Sequence, residues 1–272
     1  MRLIGTMRIN LLFCLLTIFL YSCTSDEFSP NQKFNSQSPT EVNAREIAEL
    51  PKKDAGANVK IAVSGDTQRE YGASRDFVKY VNSRNDIDFV ILNGDVSDFG
   101  LLLEFQGVYK IYSELKVPFI TIIGNHDQVA NGFEIYKLMF GATNFTFDYA
   151  GIKFVAHDSN SREHNFDGTT PDLNWLRKNL GFDNGTNHII ALSHVPPTDG
   201  DFDQALRNDY ETLFNSTPGM LASIHSHQHT PDVIYRKDGN GIPFIITNAV
   251  VNRAFTIIDI TNGDLTAQAI NF

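Results

Sequence analysis

The chain has 272 residues, 42% of them hydrophobic and 20% charged, and a formal net charge of −10. That is enough chain, of ordinary globular composition, for one large domain with its own core. The acidic balance excludes broad binding to a phosphate backbone, so no specific nucleic-acid partner is implied; it leaves room for a small phosphate ester, since bound cations can reverse the local sign.

Arg2 and Arg8 precede an apolar run over residues 11–21, followed by Ser22 and Cys23. A basic start and a short apolar segment predict a signal peptide over 1–22, with a short anchor helix as the alternative. Leu20-Tyr21-Ser22-Cys23 resembles a bacterial lipoprotein box, in which the signal is cut ahead of a cysteine that is then lipidated. The resemblance implies lipidation at Cys23 and anchorage to a membrane of the bacterial cell envelope. Asp26 and Glu27, just beyond, resemble a surface-export signal. Residues 23–57 begin rich in Ser, Asn, Gln and Pro and read as a flexible tether. Both cysteines, Cys14 and Cys23, lie ahead of the domain expected over 58–272. Any metal in that domain is therefore held by nitrogen and oxygen.

In the domain, apolar runs predict strands over 59–64, 88–92 and 117–123, with helical spacing over 76–81 and 101–115 between them. Further strands are predicted over 153–156, 188–192 and 221–224, and helices over 175–180 and 204–214. Residues 233–236 and 242–247 read as one hairpin, and 253–260 and 265–270, joined at Asn262-Gly263, as another. Strand alternating with helix implies an α/β fold with a largely parallel sheet.

A pattern recurs where these strands stop, since polar residues of metal-ligand type follow at once. Asp66-Thr67-Gln68 follows the first strand, Gly94-Asp95-Val96-Ser97-Asp98 the second and Gly124-Asn125-His126-Asp127 the third. Ser193-His194-Val195-Pro196-Pro197 and Ser226-His227-Gln228-His229 complete the series. In open α/β sheets such loops form the binding crevice. Each motif alone reads equally well as a turn, a cap or a hydrogen-bonded histidine. Five in one order at strand ends point to a site. Carboxylate and amide oxygens with imidazole suit two divalent or trivalent cations about 3.5–4 Å apart, which can activate a water and neutralise charge on phosphoryl oxygens.

On these five motifs, residues 58–272 resemble the calcineurin-like metallophosphoesterases. The resemblance implies a two-sheet sandwich flanked by helices, in four α-β-β-α layers, and hydrolysis of a phosphomonoester or phosphodiester by a two-metal-activated water. It implies that Asp66 and His229 bind the first metal, that Asp95 bridges, and that Asn125, His194 and His227 bind the second. Gln68 stands where the family commonly has His, and shifts the first site toward Mn, Mg or Fe, with Zn as a further alternative. His126 takes the role of stabilising the transition state or protonating the leaving group, oriented by Asp98 or Asp127. Asn160, Arg162 and His164, in the loop over 158–168, are candidate substrate contacts. Ser226 replaces a common Gly and is strained if that position needs positive φ. The second motif closes with Asp98 rather than Tyr, unlike the purple acid phosphatases. A different outcome is a surface lipoprotein that keeps the fold to bind a ligand or partner over a weakened metal site.

Overall fold

The structure, a computed structural model, describes residues 34–36, 38–182, 185–230 and 233–272. The expected signal segment and the lipidation residue Cys23 lie outside these residues. Two mixed sheets make the body of the domain. The first has the order β11-β10-β1-β2-β3 and the second β4-β5-β6-β7-β9-β8.

In the first sheet, β1 (Val59–Ser64), β2 (Phe89–Asn93) and β3 (Phe119–Ile122) run parallel, in a register that sets Ile61 beside Phe89 and Ile91 beside Ile120. The hairpin β10 (Ala254–Thr261) and β11 (Asp264–Asn271) is added antiparallel to β1. In the second sheet, β5 (Ile152–Ala156), β6 (His188–Leu192), β7 (Met220–His225) and β9 (Pro243–Ile246) are parallel. Its edges, β4 (Phe145–Tyr149) and β8 (Val233–Arg236), are antiparallel. The largely parallel sheet read from the sequence thus holds for one side of the first sheet, β1 to β3, and for the four inner strands of the second.

Alternation along the strands builds four layers. Val59, Ile61, Val63, Phe89, Ile91 and Ile120 point inward and meet Phe154, Ile190, Leu192 and Ile224 of the other sheet. Ala62, Val90 and Leu92 point outward, against Phe77 and Val81 of α2 (Tyr71–Asn82), Phe105 and Tyr112 of α3 (Leu102–Tyr112) and Tyr136 of α4 (Gly132–Phe140). On the far side, Val155, Ile189 and Ala191 pack against Leu176 of α5 (Leu173–Asn179) and Tyr210 and Phe214 of α6 (Gln204–Ser216). Strands covered on both faces must be apolar on both, which is why β2 and most of β1 and β6 read as continuous apolar runs.

The expected tether is corrected within 42–48. These residues form α1 (Val42–Ala48), laid along β3. Asn43 Nδ2 donates to the Thr121 carbonyl at 2.9 Å while its Oδ1 accepts the Thr121 N–H at 2.8 Å, and Glu46 accepts the Phe119 N–H at 3.2 Å. Side chains of α1 thus take the hydrogen bonds that a further strand would make.

Candidate metal centre

The parallel strands of both sheets end toward the same rim, and their loops carry the ligand-type residues. Asn93, the last residue of β2, fastens the two sheets there, since its Nδ2 donates to the Ser193 carbonyl at 2.9 Å. Its own carbonyl accepts His194 Nδ1 at 2.7 Å. The loops meet so closely that a Cβ on Gly94 would strike the His194 ring, and one on Gly124 would strike the backbone N and carboxylate of Asp95.

Asp66, Gln68, Asp95, His227 and His229 all have positive φ, between 41° and 69°. Left-handed backbone at non-glycine residues costs about 1 kcal/mol or more each and persists only where the surroundings enforce it, often at functional sites.

The donors converge in two groups. His229 Nε2 lies 3.0 Å and His194 Nε2 3.9 Å from Asp66 Oδ1. His194 Nε2 is also 3.3 Å from Asp95 Oδ2. In the second group, His227 Nδ1 lies 3.0 Å from Asn125 Oδ1, and the His194 and His227 rings are 5.2 Å apart. Asp95, His194 and His227 have ligand atoms close enough to share one ion. Gln68 is half-buried on the same loop as Asp66, its backbone N–H donating to the Asp95 carbonyl at 3.0 Å.

The chemistry of these groups fits a cation. His194 Nδ1–H is committed to the Asn93 carbonyl, so in the neutral ring Nε2 presents a lone pair toward two carboxylates. That Nε2 and Asp66 Oδ2 are buried with no hydrogen-bond partner among the described residues. Buried acceptors facing one another are costly unless something positive lies among them. The site draws positive charge: against the opposing effect of burial, the Asp95 and Asp66 carboxylates push the His194 pKa up to about 10. For Asp95, burial acts to raise the pKa, and the nearby His194 and His126 charges hold it below its ordinary value.

His126 is tied to this centre by its backbone N–H, which donates to Asp95 Oδ1 at 3.0 Å. Its Nδ1 is 2.9 Å from the Asp98 carbonyl oxygen and 3.4 Å from the Asp98 carboxylate. Asp98 is held in turn by Arg69 Nε at 2.7 Å, whose guanidinium lies 4.9 Å from the centre of the exposed Phe99 ring. Of the two acids expected to orient His126, the structure places Asp98 against it. Asp127 is corrected to another task. Wholly buried, it accepts from the backbone N–H groups of Val96, Ser97 and Gly124 and from the Ser97 hydroxyl, at 2.7–3.2 Å. It staples the second and third motif loops together. Burial, with the Asp95 charge, pushes its pKa up to about 7.

The three candidate substrate contacts are engaged. Asn160 is corrected to a loop brace, since it is fully buried and donates through Nδ2 to Asp158 Oδ1 at 2.7 Å and to the Ile123 carbonyl at 3.2 Å. Arg162 stands at the rim with Nη1 2.6 and 2.7 Å from the two Asp201 oxygens. His164 Nε2 faces Asp158 at 3.5 Å. Ser226 has no positive φ, so the expected strain is absent. Its hydroxyl is 2.8 Å from Thr247 Oγ1, in space left open because Gly65 opposite has no Cβ. His225 lies buried between Ser193 Oγ and Ser223 Oγ, a neighbour of the site rather than a ligand.

Sequence reasoning missed Asp199 and Asp201, whose carboxylates lie 3.5 and 3.6 Å from His227 Nε2. Their signal was present: they sit in the loop beyond β6 that already supplied His194, and loops at strand ends were the rule that found the rest.

The family model for calcineurin-like phosphoesterases matches residues 59–231. A probable cyclic nucleotide phosphodiesterase of Synechococcus sp. is 30% identical over 112 residues, 40% of this chain and 43% of that protein. A probable glycerophosphodiester phosphodiesterase of Arcobacter nitrofigilis is 29% identical over 116 residues, 40% of this chain and 42% of that protein. The matched part thus spans less than half the length of either relative. A purple acid phosphatase from yellow lupin seeds superposes with a TM-score of 0.62 over 82% of this chain and 53% of its own, at 14% identity. A dimetal phosphatase from Danio rerio does so at 0.57 over 77% and 98%, at 13% identity. At such identities the likeness is one of fold. With the family model covering 59–231 and all five of its strand-end motifs gathered at one rim, this chain belongs to the calcineurin-like phosphoesterase family.

Proposed function

We propose that the chain is a metal-dependent phosphoric ester hydrolase that cleaves a phosphomonoester or phosphodiester with water at a pair of metal ions. The observation that carries this reading is the convergence of Asp66, Asp95, Asn125, His194, His227 and His229, with oxygen and ring-nitrogen atoms of ligand type turned toward one another. Asp66, Gln68 and His229 would hold one ion, Asn125, His194 and His227 the other, and Asp95 would bridge. Such ions, Mn or Fe by the donor set with Zn or Mg as alternatives, supply positive charge against phosphoryl oxygens and lower the pKa of an attacking water.

The chain's own part in the chemistry is proton delivery. His126 Nδ1–H donates to the Asp98 carbonyl, which fixes the ring and leaves Nε2 for the leaving group. Burial alone would lower the His126 pKa; Asp95, the Asp98 carbonyl and carboxylate and Asp127 outweigh it and raise the pKa. The raised pKa favours the protonated ring, whose Nε2–H can pass to the departing alkoxide.

Both curated relatives are named as diesterases, so diesters are the first substrates to try. Purified protein is offered phosphate monoesters and diesters with Mn, Fe, Zn and Mg titrated in turn. Turnover that depends on metal and stops with chelator is the expected result. Two ions bound without turnover of any ester would favour a ligand-binding module, and failure to bind metal would remove the reading. Anchorage to a cell-envelope membrane through lipid on Cys23 is a companion proposal that rests on the N-terminal sequence. Metabolic labelling with a fatty acid, abolished in Cys23→Ser, is its test.

A further inference from the structure

The loop between β6 and α6 brings two carboxylates to the outer nitrogen of His227. Asp199 Oδ1 lies 3.5 Å and Asp201 Oδ2 3.6 Å from Nε2, while the inner nitrogen, Nδ1, is 3.0 Å from Asn125 Oδ1. Each carboxylate is itself braced. Gln228 Nε2 donates to Asp199 Oδ2 at 2.9 Å, and Arg162 Nη1 reaches both oxygens of Asp201. The Asp201 N–H closes the turn by donating to Asp199 Oδ1 at 3.0 Å.

A neutral imidazole carries one proton, and the two ends of His227 compete for it. On Nε2 it faces two carboxylates; on Nδ1 it faces one amide oxygen. Charged acceptors hold a donor more strongly than a neutral one, so the proton belongs on Nε2. Nδ1 then turns a lone pair toward the Asn125 carbonyl oxygen, and two acceptors 3.0 Å apart suit a cation placed between them. The 3.5 and 3.6 Å separations are long for hydrogen bonds, so the two carboxylates act on Nε2–H through their charge.

We propose that Asp199 and Asp201 are positioning residues for His227, fixing its Nε2–H tautomer so that Nδ1 serves as a ligand of the second metal. The proposal rests on the metal-pair reading above. Arg162 offsets the charge of Asp201, and the Gln228 amide occupies one oxygen of Asp199, which suits the pair to accept from an imidazole rather than to collect a cation of their own. This also gives Arg162 its use: it holds Asp201 in place, instead of touching substrate. A carboxylate behind a ligating imidazole orients the ring and raises its basicity, and its loss typically weakens metal binding about 10–100-fold.

The test is calorimetric titration of the full chain with Mn²⁺, alongside the Asp199→Asn/Asp201→Asn double variant. The wild type should take up two ions; in the double variant one site should weaken about 10–100-fold with the other unchanged, and Asp199→Glu/Asp201→Glu, which keeps both carboxylates, should recover most of the loss. Nitrogen-15 spectra of the wild-type imidazoles supply a second reading that does not depend on the variant's folding, with the His227 proton expected on Nε2. A proton on Nδ1 overturns the proposal. So does a double variant that binds both ions with unchanged affinity, an outcome that leaves the metal-pair reading standing. Uptake of three ions by the wild type and two by the double variant also overturns it, by making the carboxylates ligands themselves. A wild type that binds no metal removes the metal-pair reading, and this proposal with it.

Discussion

His126, held from behind by a carbonyl, has only its outer nitrogen free for chemistry. His126→Gln should therefore lower kcat by about 10²–10⁴ for alkyl esters while leaving metal uptake unchanged, because general acid catalysis is lost and no ligand is. A nitrophenyl ester, whose leaving group needs no proton, should suffer far less. Equal losses on both substrates would contradict the role. At Ser226 the departure from the common Gly is absorbed by a partner change that one position alone does not reveal: Gly65 gives up the space that the hydroxyl fills. Gly65→Ala should destabilise by about 1–3 kcal/mol, and Ser226→Gly in the same chain should restore part of that, a coupling that denaturant melts of the double-mutant cycle will measure. Most of the centre was legible because each ligand-type residue ends an apolar run, so its place in the fold follows from the strand before it. Asp199 and Asp201 lie in a loop that the strand-end rule already marks, but acids there look alike in sequence, and only the position of the His227 ring sets these two apart.

Between elements, buried polar ties do the fastening. At the end of β5, His157 Nε2 meets the Tyr210 hydroxyl of α6 at 2.9 Å, and burial pushes the His157 pKa down to about 4. In the unfolded chain the same imidazole titrates near 6.5. Above that value neither state binds the proton and the contribution to stability is complete; as pH falls toward 4, the unfolded chain takes up a proton that the folded chain refuses. Stability should therefore drop by on the order of 2 kcal/mol between about pH 7 and pH 5, and His157→Gln should flatten that part of the profile in urea melts. A profile unchanged by the substitution would show that other groups govern it. Legibility was uneven at this scale. β1, β6 and the C-terminal hairpins have the bounds or pairing expected of them, because largely apolar runs and Asn262-Gly263 are strong local signals. α1 went unread because its burial is confined to Val42 and Asn43, so no apolar periodicity marks it. α4 was passed over although Ile135, Tyr136, Met139 and Phe140 form one face, its start obscured by the loop that follows the third motif.

The four layers follow from strands that are apolar on both faces and helices that are apolar on one, and to that extent the architecture was written in the hydrophobic pattern. What the pattern does not encode is how the sheets finish. β3 is the last strand of its sheet, and the backbone groups it turns outward are a standing template for further pairing. Asn43 and Glu46 occupy that template with side chains. A chain begun at residue 58 should therefore form larger species in light scattering than one begun at residue 34, and Asn43→Ala in the longer chain should move part of the way toward the shorter; identical size distributions would leave α1 without this role. If residues 23–41 are the leash to a membrane, many copies share a crowded plane where any open border invites its neighbour to join. On that condition, a hem sewn into the end of the leash would keep each copy separate where crowding is greatest.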